Sequence, residues 1–243
     1  MLKLKKRSKI VASASVFAAL VAVLGTIPLS KLILGSGFLA ASKVIIPLVG
    51  MLFGPAGGSL AVIIGDALDM AGGFIARDAF GLTTLVADLC VVLTAALAFT
   101  GRWKLAIALP VWVLVAFFAD PISVLFVGPV PFAWLHMLAF AALAAAVIAE
   151  KTGRIGKLHP FFVASVTLGA LMCGHLAGTL VGQTLQVRVY HLFTVEAWNA
   201  RMVAVFAVYP VERIAFAAVG SVLSIPVLRA VRKLAERGST ASE

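Results

Sequence analysis

The chain has 243 residues, 62% of them hydrophobic and only 12% charged, and its mean hydropathy is +1.10. A soluble core of this length cannot hide so much apolar surface, and continuous apolar runs without period-two alternation exclude a transmembrane β-barrel. The net charge of +10 comes from 20 basic and 10 acidic residues; the basic ones cluster in short loops beside apolar runs, which is a topology signal, and no nucleic-acid partner is expected.

The expected class is therefore an all-α polytopic membrane protein. It forms a single transmembrane helical domain over 1–237, with a short polar tail, 238–243, expected to be disordered. Span 1 covers about 10–29, and five basic residues precede it, Lys3, Lys5, Lys6, Arg7 and Lys9. They hold the N-terminus in the cytoplasm. The run reads as an uncleaved helix because it continues to Pro28, past the usual apolar core of a signal peptide; a cleaved signal is the alternative. Ala14, Ala18 and Ala22 repeat every four residues and make a small-residue stripe where another helix can approach closely, in a partner subunit or in the same chain. Residues 30–42 read as an outer loop around Gly35-Ser36-Gly37.

The stretch 43–74 decides the topology. Its centre, Gly54-Pro55-Ala56-Gly57-Gly58, interrupts a helix because proline lacks an N–H and clashes with the preceding turn. Read as one span, the chain crosses seven times, with eight basic loop residues inside and eleven outside. Read as two short helices, it crosses eight times with both termini cytoplasmic, and the division becomes fourteen inside and five outside. The positive-inside rule selects the second arrangement in a multi-pass plasma-membrane protein. The second and third of its eight helices are short. The first of them, about 43–54, covers only about 18 Å, too little to cross lipid alone, so it is expected among other helices.

The remaining spans fall at about 79–100, 105–128, 130–149, 160–186 and 203–228, with an outer loop at 187–202. They carry few polar residues. Asp66 and Asp69 end the broken stretch, Asp88 sits in the middle of its span, and Asp120 precedes Pro121. His136, His175 and Gln183 follow on spans 6 and 7, with Trp198 in the last loop and Tyr209 beside Pro210. Glu212 and Arg213 are adjacent and can neutralise each other. Ionisable residues inside a membrane are candidates for function by default, so Asp66, Asp69, Asp120, His136, His175, Gln183, Trp198 and Tyr209 are the candidate substrate-binding residues. No Walker A loop, no HExxH and no GxSxG is present, and the four histidines lie on separate segments. No enzymatic activity, catalytic residue, metal site or cofactor is expected. Cys90 and Cys173 both lie in apolar runs and read as buried free thiols.

The first helix with Ala14, Ala18 and Ala22, the phrase Gly50-Met51-Leu52-Phe53-Gly54-Pro55 leading into a Gly-rich helix, and the late PVERIAFAAVGSVLSIPVLRAV together resemble the substrate-binding S-component of energy-coupling factor (ECF) vitamin transporters. The resemblance covers about 10–73 and 205–230. It implies capture of a vitamin or related micronutrient from outside, with a transmembrane T-component and two ATPase subunits supplied by other chains. It also implies that Ala14, Ala18 and Ala22 contact the T-component, and that the loop after helix 1 closes an outer pocket. The family has six helices, so the hairpin 105–149 is an insertion into a six-helix core. The alternative function is an ion-coupled secondary transporter or channel acting without ATPases, its aspartates coupling proton or sodium movement.

Overall fold

The computed structural model describes residues 2–31, 38–74, 79–124 and 129–240. The described elements are α1 (Leu2–Gly25), β1 (Pro28–Lys31), β2 (Phe38–Ala40), α2 (Ser42–Gly72), α3 (Ala79–Phe99), α4 (Trp103–Ala119), α5 (Pro121–Val124), α6 (Pro129–Lys151), α7 (Pro160–Gln183) and α8 (Val195–Thr240). Five of the helical stretches are long and apolar enough to cross a membrane, and shorter apolar helices cover Ala14–Gly25 and Trp103–Ala119. The protein is an all-α polytopic membrane protein. Its exterior carries side chains such as Val16, Leu68, Trp112, Leu138, Val211 and Val222, exposed by half or more; water would penalise such a surface and lipid does not.

The break in α2 falls where the sequence places it. Gly54 has φ 69° and ψ −174°, a backbone state that only glycine adopts readily. The chain doubles back there. A Cβ built on Gly58 would lie 3.2 Å from the Cα of Gly50, whereas residues eight apart on a straight helix are about 12 Å apart. Proline at 55 fits the restart, because the first N–H of a helix has no intrahelical partner. Helix α2 is thus two limbs, 42–53 and 55–72. With the limbs counted separately and four-residue α5 set aside, the described residues form eight helices, the number expected.

Small residues let the limbs and their neighbours come close. A Cβ on Gly50 would meet the Val92 carbonyl of α3 at 2.4 Å, one on Gly174 of α7 would meet the Ala87 carbonyl at 2.6 Å, and one on Gly220 of α8 would meet the Val44 carbonyl at 2.7 Å. Helix α1 runs parallel to the second limb of α2: Gly65 lies against Ala18 and Val21, and Gly25 against Asp69. Ala14 and Ala18 are consequently buried in the chain's own core at 5% and 1% exposure, with Ala22 half-buried. The stripe expected to meet a T-component thus packs against α2 at Ala18, and the exposed residues of α1 include Ser15, Val16, Ala19, Leu20 and Val23.

One end of the bundle is closed around Gly54. A Cβ on Gly54 would lie 3.4 Å from Thr100. Lys157 donates to the Phe99 carbonyl at 2.7 Å, and the Phe99 and Phe162 rings are 5.4 Å apart. Helix α1 begins toward this end and α8 finishes toward it, so the two helices that begin and finish the described chain point to the same side. The opposite end carries a β-ribbon. β1 and β2 pair antiparallel, Pro28 opposite Ala40 and Lys31 opposite Phe38. The stretch expected as a plain loop therefore folds back as a two-stranded ribbon, which the Ala41 N–H closes on the Ile27 carbonyl at 2.9 Å.

Three more boundaries differ. The 187–202 loop is short, because α7 continues as a π-turn over Thr184–Val189 and α8 already starts at Val195. Helix α8 then passes through Pro210 and Pro226 and runs to Thr240, so the head of the polar tail is helical. Span 5 stops at Ala119, where Asp120 turns extended and starts α5. Of the outer turns that the sequence places at 72–78 and 128–131, residues 75–78 and Gly128 lie outside the described residues.

Candidate binding site between the Gly54 end and the ribbon

Charged groups gather in one layer of the bundle. Lys43 lies eleven residues before Gly54, and Asp88 eleven before Phe99, so both stand about 16 Å above the Gly54 end. They form an ion pair, Lys43 Nζ to Asp88 Oδ2, with only 13% and 2% of their side-chain surfaces exposed. Asp66 and Asp69 occupy the last two turns of α2 at the same height, 1% and 2% exposed. Arg213 enters from α8, is 9% exposed, and interacts electrostatically with both Glu212 and Asp88. The expected neutralisation within Glu212-Arg213 is thus shared with a carboxylate on α3. Buried charges need such partners, since desolvation costs several kcal/mol per ion.

His136, His175 and Tyr209 come together, largely with one another. His136 Nε2 and His175 Nδ1 are 3.0 Å apart, and their rings stack at 5.2 Å. Tyr209 stacks on His175 at 4.7 Å, and its hydroxyl donates to the Phe132 carbonyl at 2.5 Å. Phe132 covers the same group, with its ring 6.1 Å from that of His175. Arg213 lies within electrostatic range of both imidazoles. The aromatic stack and the carboxylate layer therefore meet at Arg213.

Nearer the ribbon end, Asp120 is committed to its own chain. It accepts from the Ile122 N–H at 2.8 Å, capping α5, and takes a two-pronged bond from Arg188 at 2.7 and 2.9 Å. Gln183 is fully buried and donates to Ser123 Oγ at 2.8 Å. Trp198 is 4% exposed and lies over Gly182, where a Cβ would meet the indole at 3.2 Å. Of the other aromatics, Trp134 and Tyr190 are exposed by 39% and 53%, as expected of residues at a membrane surface.

No protein-family model, curated protein or solved structure matches the chain. What distinguishes the region is a set of buried polar atoms with no hydrogen-bond partner among the described residues. Asp66 Oδ2, Gln183 Oε1, Trp198 Nε1 and Arg213 Nε are all such atoms. Natively, nearly every buried polar group has a partner, and an unsatisfied one costs about 1–3 kcal/mol. Two of these are acceptors and two are donors, spread over α2, α7 and α8.

Lys43 is the residue that sequence reasoning missed. It was counted as a loop cation. The signal was there: Asp88 at mid-span requires a cation, and Lys43 opens the apolar limb that runs beside α3.

Proposed function

We propose that the protein is a membrane-embedded small-molecule binding subunit of an ECF-type uptake transporter, capturing a vitamin or related micronutrient. The observation that carries this reading is the buried acceptor Gln183 Oε1 and the buried donor Trp198 Nε1, nearer the ribbon end, neither with a hydrogen-bond partner among the described residues. A half-length helix folded back at Gly54 supports it, since interrupted helices in membranes occur where they line a site. So does the ribbon directly after α1, at the position where the resembled family closes its pocket. In this reading the substrate lies between α2, α7 and α8 below the ribbon, the ribbon end faces outside, and both termini are cytoplasmic. A T-component and two ATPase subunits from other chains supply the energy. Their contact surface does not include Ala14 and Ala18, which are buried.

Native mass spectrometry of the purified chain tests the reading. A small molecule released from the wild type, and lost from Trp198→Phe and Gln183→Leu while both variants stay folded, is the expected result. A chain that retains nothing, and whose melting temperature no vitamin moves, overturns it. The second reading, ion-coupled transport without ATPases, draws on the three buried carboxylates Asp66, Asp69 and Asp88. Gradient-driven uptake by this chain alone in liposomes selects it.

A further inference from the structure

The charged layer does not balance. Asp66, Asp69, Asp88 and Glu212 set four carboxylates against two cations, Lys43 and Arg213, and the three aspartates are buried. Lys43 lies within electrostatic range of Asp66 but is bound to Asp88, and Arg213 directs its charge toward Glu212 and Asp88. The Asp66 Oδ2 is buried without a hydrogen-bond partner among the described residues.

The helix ends make the imbalance worse. Asp66 and Asp69 stand in the last two turns of α2, and the C-terminal residue of α1, Gly25, abuts the Asp69 carboxylate so closely that a Cβ there would overlap it. Two helix C-termini, each with about half a negative charge, thus converge on Asp69. Asp66, one turn before it, is the second carboxylate of a buried pair. Among the described residues no group of three or more His, Cys, Asp and Glu side chains is arranged to hold a metal ion.

We propose that this site binds a proton, carried on Asp66, and that the protein holds it at neutral pH. One proton brings the layer from four carboxylates to three against the two cations. It also turns the orphaned Oδ2 into a hydroxyl and removes one charge from the Asp66 and Asp69 pair. The groups facing Asp66 and Asp69 are the α1 terminus at Gly25, Lys43 at the head of α2 and Asp88 on α3. Arg213 on α8 acts through Asp88, and His175 on α7 faces Arg213. The proposal goes beyond the transport reading and does not depend on it, because the proton is read without any substrate.

Infrared spectroscopy of the full chain in lipid, at pH 7 and free of added substrate, tests it. The wild type shows the C=O stretch of a protonated carboxylic acid, shifted by H/D exchange and lost when the pH is raised. Asp66→Asn abolishes that band and leaves the protein monodisperse, since the amide has the shape of the protonated acid. Asp66→Glu retains it at a shifted frequency and guards against a band lost through misfolding. The proposal is overturned if the wild type has no such band at pH 7, or if the band survives in Asp66→Asn. It is equally overturned if sodium chloride, but not choline chloride, removes the band, which makes the site a sodium site.

Discussion

Replacing Gly54 tests the folding-back of α2 where it is most exposed to refutation. The residue sits at φ 69°, ψ −174°, in the region that a side chain of L configuration strains by about 1–3 kcal/mol. Space is not the issue, because the nearest atom to a Cβ there is Thr100 Cγ2 at an ordinary 3.4 Å. Gly54→Ala should therefore cost about 1–3 kcal/mol through the backbone alone, up to roughly a hundredfold in the folding equilibrium. Gly73 provides the contrast. It caps α2 at φ 78°, ψ 11°, with nothing within 4 Å of a Cβ, in the left-handed helical region that asparagine also tolerates. Asparagine should recover most of what alanine loses at 73 and little at 54. Equilibrium unfolding of the purified protein in mixed micelles measures both series. Wild-type stability in Gly54→Ala, or rescue by Gly54→Asn, would show that the break is not held by this backbone state.

Removing either member of the Lys43–Asp88 pair should cost about 3–5 kcal/mol, because it strands a buried charge, whereas Lys43→Met with Asp88→Leu should recover much of the loss; a double-mutant cycle in the same unfolding assay reads the coupling. Gly174→Ala drives a methyl into the Ala87 carbonyl and Val91 and should cost about 1–3 kcal/mol, while Gly156→Ala, with open space around it, should be neutral or slightly stabilising in thermal unfolding. Ala18→Leu should lower the yield of monodisperse protein in size-exclusion chromatography, and Ala19→Leu, on the exposed face of α1, should not. Arg188→Ala should cost about 1 kcal/mol or less, since the Arg188 side chain is 40% exposed, and a measured loss above about 3 kcal/mol would show that Asp120 relies on it far more than a surface pair does.

Much of this architecture is legible in the sequence, and the reasons are particular. Gly54-Pro55 announces itself because proline forbids helix continuation and glycine allows the reversal. The apolar runs mark each span because their length matches the bilayer. What was not legible depends on rotation and register. Residues 10–25 of α1 carry no charge on any side, so their pattern does not tell which face meets α2, and the alanine stripe, open to a partner subunit or the same chain, packs inward at Ala14 and Ala18. Helix α8 absorbs both Pro210 and Pro226, as membrane helices can when neighbours re-satisfy the freed carbonyls. The π-turn at Thr184–Val189 leaves no mark in residue type. At the candidate site, the histidines and Tyr209 stand out in the sequence because polar residues are rare in these spans. The pairing of Lys43 with Asp88 does not, because it joins residues forty-five positions apart.

The account rests on the two halves of α2 lying side by side, which sends the first and last helices to the same face of the membrane. Single cysteines at Ser8, Leu192 and Ser239, introduced after Cys90 and Cys173 are changed to alanine, report this directly with a membrane-impermeant thiol reagent on intact cells. Labelling of Leu192→Cys alone, with Ser8→Cys and Ser239→Cys reacting only after permeabilisation, is the predicted result. Ser8→Cys and Ser239→Cys reacting from opposite faces would contradict it.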